Sequence, residues 1–191
     1  MKTVFTLEDE RVRLSPLQSD SYEALWPIAR QEKLVQYSPG NVASPEGLKA
    51  YVAAALKQQQ QQSSIPFIIY DKVQQAYAGT TRYMHIDKKN NVLHIGATWI
   101  GKEFHGSGLN DHMKFLMLNH AFDEMGFEKV EFRIDERNIK SRKAVEKLGA
   151  ILEGTLRKNV FLEDGFKRDT CCYGILKEEW AATRKEFTLP L

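Results

Sequence analysis

The residues with the clearest chemical potential are seven consecutive ones at 104–110, with the sequence FHGSGLN. Gly106 and Gly108 stand one residue apart, and glycine lets a backbone turn tightly and approach a ligand because it has no Cβ. A long helix is predicted to begin at Leu109. The first N–H groups of a helix are unpaired and lie at its positive dipole end. This arrangement predicts a cradle for a phosphate group.

The sequence excludes two common phosphate-binding loops. The pattern G-x-x-x-x-G-K-S/T does not occur in the chain. The dinucleotide pattern G-x-G-x-x-G lacks its third glycine, because Asp111 stands at that position. Read alone, the two glycines are also compatible with an ordinary structural turn before a helix.

The elements that must position this loop are those of an α+β fold. Alternation and apolar runs predict strands at 11–17, 65–70, 76–86, 92–100, 129–135, 150–161 and 166–176. Helical spacing predicts helices at 19–30, 45–60, 109–125 and 138–148, with Asp20 and Ser44 as caps of the first two. We expect a mostly antiparallel mixed sheet of about seven strands with four to five flanking helices and one helical crossover in its middle.

Composition limits the possible classes of protein. The 191 residues carry 27 Lys and Arg against 25 Asp and Glu, a net charge of +2 that predicts no nucleic-acid partner. No apolar run approaches the length of a membrane span, and no signal-peptide core begins the chain. Cys171 and Cys172 are adjacent, so they form neither a disulfide framework nor a metal motif. We expect one domain over 1–191, located in the cytoplasm, with no bound metal.

A series of short segments runs from the loop to the end of the chain: EFHGSG at 103–108, DERNIKS at 135–141, KLGA at 147–150, EGTLR at 153–157, GFKRD at 165–169, YGIL at 173–176 and EW at 179–180. In order and spacing they match Q/R-x-x-G-x-G/A, D-x-x-N-x-x-S, K-L-G-F/A, E-G-x-x-R, G-x-x-x-D, Y-x-I-L and E-W. The chain therefore resembles the GNAT superfamily of acyl-CoA N-acyltransferases, and within it the RimJ/RimL-like branch, over roughly residues 12–180.

The resemblance implies that acetyl-CoA is the cofactor. The strand at 97–100 would pair with the pantetheine arm, the N–H groups of 104–109 would hold the pyrophosphate, and Asn138 would hydrogen-bond the pantetheine. The implied cofactor-binding residues are Thr98, Trp99, Ile100, Phe104, His105, Gly106, Ser107, Gly108, Leu109, Asn110, Asn138 and Ser141. Structural roles stay open as alternatives, since Asn138 is also a good helix N-cap and Ser141 sits in the first turn of that helix.

The resemblance also implies direct attack of an amine on a thioester, which needs a base, an oxyanion donor and a proton for the leaving sulfur. Ser141 matches the position of the acid, and a backbone N–H of strand 96–100 would be the oxyanion donor. Many relatives carry a carboxylate before the I-G of this strand, where this chain has His94. His94 is the candidate base, with a surface histidine as the alternative. The candidate acceptor-binding residues are Arg82, Trp99, Arg157 and Tyr173.

The free energy of deprotonating an amine limits which amines can act as the acceptor. At pH 7 this costs roughly 1 kcal/mol for an α-amino group and roughly 5 kcal/mol for lysine. A site without an evident carboxylate base favours the α-amine, which agrees with the RimJ/RimL-like branch, where protein N-termini are frequent acceptors. A small amine or an antibiotic is the alternative acceptor. A homodimer through the C-terminal strands is expected from the resemblance.

One residue departs from the pattern. Glu103 stands where the family has Gln or Arg, which places a negative charge beside the predicted pyrophosphate. Lys102 and Lys114 would offset this charge, and Asn110 and Lys114 share one helix face. Together with the missing carboxylate base, Glu103 leaves a catalytically idle CoA-binding domain as an alternative function.

Overall fold

The computed structural model describes residues 4–189 and is built around a sheet of eight strands in the order β1-β2-β3-β4-β5-β6-β8-β7. Of the neighbouring strands in this described part, only β5 and β6 run parallel; the other pairs are antiparallel. The strands are β1 (Leu7–Glu8), β2 (Val12–Pro16), β3 (Ser64–Asp71), β4 (Ala76–Asp87), β5 (Val92–Ile100), β6 (Lys129–Asp135), β7 (Ile151–Phe161) and β8 (Lys167–Leu176). The predicted fold class is confirmed. The additional strand is β1, whose two residues are too few to show an alternating pattern.

Five α-helices flank the sheet in the described chain: α1 (Ser21–Ala29), α2 (Pro45–Gln60), α3 (Leu109–Asn119), α4 (Ile139–Glu146) and α5 (Lys177–Glu186). The cap predicted at Ser44 is confirmed, because its hydroxyl accepts from the N–H of Gly47 at 3.0 Å. Asp20 stands at the N-cap position of α1, as predicted, but its side chain makes no capping hydrogen bond. Helix α5 was not among the predicted elements.

The predicted helix 109–125 changes its form before it ends. The α-helix stops at Asn119, and one π turn follows over His120–Glu124. The Asn119 side-chain oxygen accepts a hydrogen bond from the indole N–H of Trp180 at 2.9 Å, which fixes α5 to this end of α3. Gly126, with φ of +75°, ends the segment as the sequence predicted.

Two apolar cores cover the two faces of the sheet. On β3, Ile65, Phe67 and Ile69 contribute to the larger core, which contains α3, whereas Ile68 contributes to the smaller core under α1 and α2. This alternation follows from the period of two along a strand. The sheet is therefore buried on both sides, and it holds α3, the crossover between β5 and β6, in a fixed position.

The last two strands form the predicted hairpin, turned where Gly165 adopts φ of +80°. The order was not predicted: β8 lies between β6 and β7, so β7 is an edge strand.

Candidate active site

The sheet splits between its two parallel strands. β5 and β6 are paired only from Val92–Lys129 to His94–Glu131. Beyond that point β5 continues to Ile100 and β6 to Asp135 without pairing to each other, and both strands line a cleft of about 1840 Å³. The backbone groups on the inner edge of β5 therefore lack a strand partner, so an extended ligand can pair with them.

A β-bulge shapes β5 beside the cleft. Arg82 pairs with Gly96 and Thr80 with Trp99, so two residues of β5 stand opposite one residue of β4. The first of the two, Ala97, has φ of +48°. Its carbonyl accepts a hydrogen bond from the Tyr51 hydroxyl at 3.1 Å, which fixes the bulge to α2. Bulges of this kind bend the strand, disrupt its local hydrogen bonding and are common next to active sites.

The glycine loop follows β5 and carries free donors. Gly106 has φ of +75° and Gly108, at the N-cap of α3, has φ of +84°. The N–H groups of Phe104 and His105 donate to the carbonyls of Gly101 and Lys102, just before the loop, and that of Leu109 contacts the Ser107 hydroxyl at 3.4 Å. In the described part of the chain, the N–H groups of this loop without an acceptor are those of Gly106, Ser107, Gly108 and Asn110.

Side chains hold this loop in shape from inside. The Ser107 hydroxyl donates to the Phe104 carbonyl at 2.7 Å, and the Phe104 ring is buried in the larger core. His105 Nε2 lies 3.0 Å from the Ile100 carbonyl, and because a carbonyl only accepts, this nitrogen carries the proton. The donors are thus preorganised, which lowers the cost of binding an anion.

Glu103 is directed to a neighbouring side chain instead of the cleft. Its carboxylate accepts a hydrogen bond from the Gln31 amide at 2.8 Å, and the same amide accepts from the Lys102 N–H at 2.9 Å. Glu103 is not one of the described residues that line the cleft. The departure from the family pattern therefore does not place a charge inside the cleft.

Asn138 and Ser141 line the cleft at the start of α4. The Asn138 side-chain oxygen accepts from the Ser141 N–H at 3.1 Å, so the capping role is present. This bond leaves the amide NH₂ of Asn138 and the hydroxyl of Ser141 without partners within residues 4–189. Capping and ligand contact are therefore compatible.

His94 lies at the point where the strands part, and it contacts a carboxylate. Its Nε2 is 3.1 Å from Glu131, so the neutral ring donates from Nε2 and keeps Nδ1 as an acceptor. Burial lowers the pKa of His94 to about 4, although Glu131 acts in the opposite direction. Desolvation raises the pKa of Glu131, but hydrogen bonds from Lys129 and Arg133 outweigh it and hold that pKa below its usual value.

Glu131 was missed by the sequence reasoning, which found no evident carboxylate base. The alternation of β6 gave the signal, since Val130 and Phe132 face the core and Glu131 therefore faces the other way. Its proximity to His94 depends on the parallel pairing of β5 and β6, which a linear pattern does not specify.

The predicted acceptor-binding residues do not come together. Trp99 lines the cleft. The Arg82 guanidinium lies over the Tyr51 ring, 4.6 Å from its centroid, and Tyr173 is buried, with its hydroxyl donating to Glu146 at 2.6 Å. Arg157 is exposed on β7. Within the described chain, these last three do not line the cleft.

Residues that the sequence reasoning did not select occupy part of the cleft wall instead. Arg168, buried on β8, donates to the Tyr37 carbonyl at 2.6 Å and so joins the α1–α2 connection to the C-terminal hairpin. Asp135 also lines the cleft and pairs with Arg137 at 2.7 Å. The Arg137 guanidinium lies over the Phe166 ring, 3.9 Å from its centroid, and in the described chain it is not part of the cleft lining.

Comparison with known proteins identifies the class of protein that this fold and site define. Residues 11–151 match the acetyltransferase (GNAT) domain. The chain belongs to this family.

Individual relatives agree with that assignment. YdaF of Bacillus subtilis (strain 168), named as a ribosomal N-acetyltransferase, is 30% identical over 113 residues, which cover 59% of each protein. A crystal structure named as an acetyltransferase from T. thermophilus has a TM-score of 0.84 and 32% identity, covering 95% of this chain and 94% of that one. RimJ of Mycobacterium smegmatis, solved with CoA-disulfide, shares the fold at a TM-score of 0.78 and 20% identity, covering 92% of this chain and 88% of that one.

The alignments with the curated relatives span less than two thirds of their length, 59% and 63%. Between residues 4 and 189, no helix combines the length and the apolar character needed to cross a membrane.

GNAT acetyltransferases use acetyl-CoA, and the site fits that cofactor. Four free N–H groups at a helix N-terminus suit a pyrophosphate, the unpaired edge of β5 suits an extended amide-bearing arm, and the cleft joins the two.

Proposed function

We propose that the chain is an N-acetyltransferase domain that moves the acetyl group of acetyl-CoA to the α-amine at a protein or peptide N-terminus. The observation that carries this proposal is the position of the His94–Glu131 pair at the point where β5 and β6 part. A proton acceptor and an open strand edge meet there, and the free N–H groups of the glycine loop lie on the same cleft.

The cofactor supplies an activated acetyl thioester when bound. The free N–H groups of the loop would hold its diphosphate, and the inner edge of β5, at Thr98, Trp99 and Ile100, would pair with its arm. Asn138 would donate its amide NH₂ to the same arm. These residues would bind and orient the cofactor. We assign the oxyanion donor to a backbone N–H of the bulged part of β5 at Ala97.

We assign the two proton transfers of the reaction to two side chains. His94 Nδ1 takes the proton that the attacking amine loses as the C–N bond forms, while Glu131 keeps the ring in the tautomer that leaves Nδ1 free. The Ser141 hydroxyl gives a proton to the sulfur as the C–S bond breaks. Both residues line the same cleft.

We propose an α-amine as the acceptor because His94 is a weak base. A histidine with a pKa of about 4 provides little driving force for removing a proton from an ammonium group. Deprotonation costs roughly 1 kcal/mol for an α-amine and roughly 5 kcal/mol for lysine at pH 7, so the α-amine is the acceptor that this site serves. The name of YdaF, a ribosomal N-acetyltransferase, supports the same acceptor class.

A peptide that carries both a free α-amine and an internal lysine tests the acceptor class. After incubation with the protein and acetyl-CoA, tandem mass spectrometry locates the acetyl group. We expect it on the α-amine, and a matched peptide with a blocked N-terminus should stay unmodified. Acetylation of the lysine in both peptides would overturn the assignment. A panel of small amines in the same assay tests the alternative acceptor.

The idle CoA-binding alternative rested on Glu103 and on the missing carboxylate. Glu103 binds Gln31, and Glu131 supplies a carboxylate next to His94. The structure therefore gives this alternative no specific support.

We also propose a homodimer formed through β7. This edge strand exposes apolar side chains that a second copy would cover, among them Ile151, Leu156 and Phe161. A cytoplasmic location belongs to the same proposal, and the free thiols of Cys171 and Cys172 agree with a reducing compartment.

A further inference from the structure

Lys114 is a buried lysine on the wall of the cleft whose charge is not balanced. Its residue is 7% exposed, and it lies in the second turn of α3. Among residues 4–189, no carboxylate forms an ion pair with Nζ and no oxygen accepts a hydrogen bond from it. The contact that the structure does show is with the Phe132 ring, whose centroid is 5.5 Å from Nζ.

The carboxylates of the surrounding elements are committed elsewhere. On α3 itself, Asp111 is paired at 2.6 Å with Lys147, the residue directly after α4. On β6, Phe132 faces Lys114, whereas Glu131 on the opposite side of the strand binds Arg133 at 2.9 Å.

The turn between β1 and β2, which also packs against α3, offers no free partner either. Its Asp9 carboxylate lies 2.7 Å from His112 Nδ1. Glu10 in the same turn has a side chain 80% exposed and is nearest to His112. Lys114 is therefore a cation that the described protein surrounds without neutralising.

Burying an unpaired ammonium costs free energy of desolvation. This cost lowers the pKa of the group. Burial lowers the pKa of Lys114 to about 8, while the charge of Asp111 acts in the opposite direction. Side chains of a helix lean towards its N-terminus. On α3 that is the direction of the glycine loop and its free N–H groups.

We propose that Lys114 is a cofactor-binding residue whose ammonium pairs with the diphosphate of acetyl-CoA, adding a fixed positive charge to the neutral N–H donors of the loop. This inference rests on the cradle assigned under the proposed function. It assigns to Lys114 a different role from offsetting Glu103, because Glu103 is bound to Gln31 and lies outside the cleft.

Affinity for acetyl-CoA as a function of pH tests this role by isothermal titration calorimetry. Since a pKa of about 8 leaves Lys114 about nine-tenths protonated at pH 7 and about one-tenth at pH 9, Kd should rise about tenfold between them. Lys114→Met, of similar length and without charge, should raise Kd at pH 7 about 10- to 100-fold and abolish the pH dependence. Lys49→Met, on α2 and outside the cleft, is the matched control and should retain it.

The outcomes separate this inference from the cradle itself. If Lys114→Met binds acetyl-CoA with the Kd and pH dependence of the wild type, the inference is overturned while the cradle stands. If Gly108→Val also binds normally, the cradle is wrong. The melting temperature of Lys114→Met without ligand should not fall, because a buried methionine avoids the desolvation of a charge. A large fall would indicate a structural role for Lys114 and would contradict the proposal.

Discussion

At the scale of single residues, His94 and Glu131 combine into a unit that neither provides alone. Glu131 accepts from Nε2 of His94 and is itself fixed by Lys129 and Arg133, at 3.0 and 2.9 Å. The carboxylate is therefore poorly basic and orients the ring. The histidine, held neutral by burial, lines the cleft, and its Nδ1 is the ring nitrogen that the Glu131 contact leaves unused.

His94→Gln tests this unit, because glutamine preserves size and polarity but cannot take the proton. We expect kcat to fall about 10²- to 10⁴-fold with little change in Kd for acetyl-CoA. His120→Gln, outside the cleft, is the matched control. Steady-state kinetics with an N-terminal peptide measure both. An unchanged kcat in His94→Gln would remove His94 from the mechanism.

The pH profile of the wild type gives an independent check on the same residue. The lowered pKa of His94, about 4, means that the ring is already neutral at pH 6 and above. At saturating acetyl-CoA, where loss of cofactor affinity does not affect the rate, the activity should therefore rise with pH only as the α-amine of the acceptor loses its proton, near a pKa of ~7.8. An inflection near pH ~6.5 that disappears in His94→Gln would show that the ring titrates as an exposed histidine does, which would contradict the lowered pKa.

At the scale of elements, the glycine loop is a strand-to-helix connection whose shape the protein fixes before any ligand arrives. Gly106 and Gly108 supply the left-handed backbone, and His105 and Ser107 close the loop onto β5 and onto itself. The sequence predicted this loop, its helix and the flanking strands, because glycine and capping chemistry are local. It did not predict the hydrogen bond between Gln31, in the α1–α2 connection, and Glu103, because these residues are 72 positions apart.

Gly108→Val tests the loop. Valine at φ of +84° strains the backbone at the N-cap of α3, so we expect acetyl-CoA Kd to rise at least about 100-fold. Gly165→Val, at φ of +80° in the distant β7–β8 hairpin, is matched for strain and should leave Kd unchanged.

Glu103→Gln should change Kd less than about twofold, because its carboxylate points at Gln31. Calorimetric titration distinguishes the three, and a strong effect of Glu103→Gln would contradict the geometry.

At the scale of the whole molecule, the cleft exists because one pair of strands is parallel and stops pairing early. The order of strands brings β6 beside β5 and inserts β8 between β6 and β7. Alternation and turn residues predicted nearly every strand. They did not predict the split after His94, the insertion of β8 or the bulge at Ala97, because each depends on tertiary contacts. For the same reason Arg82 and Tyr173, chosen for their positions on predicted strands, lie buried outside the cleft.

The exposed edge of β7 makes a prediction at this scale. Ile151 and Phe161 are 56% and 64% exposed, and an unpaired apolar strand is a site for association. Light scattering should give a dimer, and Ile151→Asp should shift it towards the monomer. A wild-type monomer at a concentration of about 100 μM would contradict the homodimer, since a stable interface has a Kd well below that value.

The most direct test of the central claim is thiol release from acetyl-CoA in the presence of a peptide with a free N-terminus. The proposed site predicts release in proportion to acetylated peptide, its loss in His94→Gln and Gly108→Val, and no release above hydrolysis when the N-terminus is blocked. If the wild type binds acetyl-CoA but releases no thiol with any peptide or amine, the cleft binds the cofactor without catalysis and the proposed function is wrong.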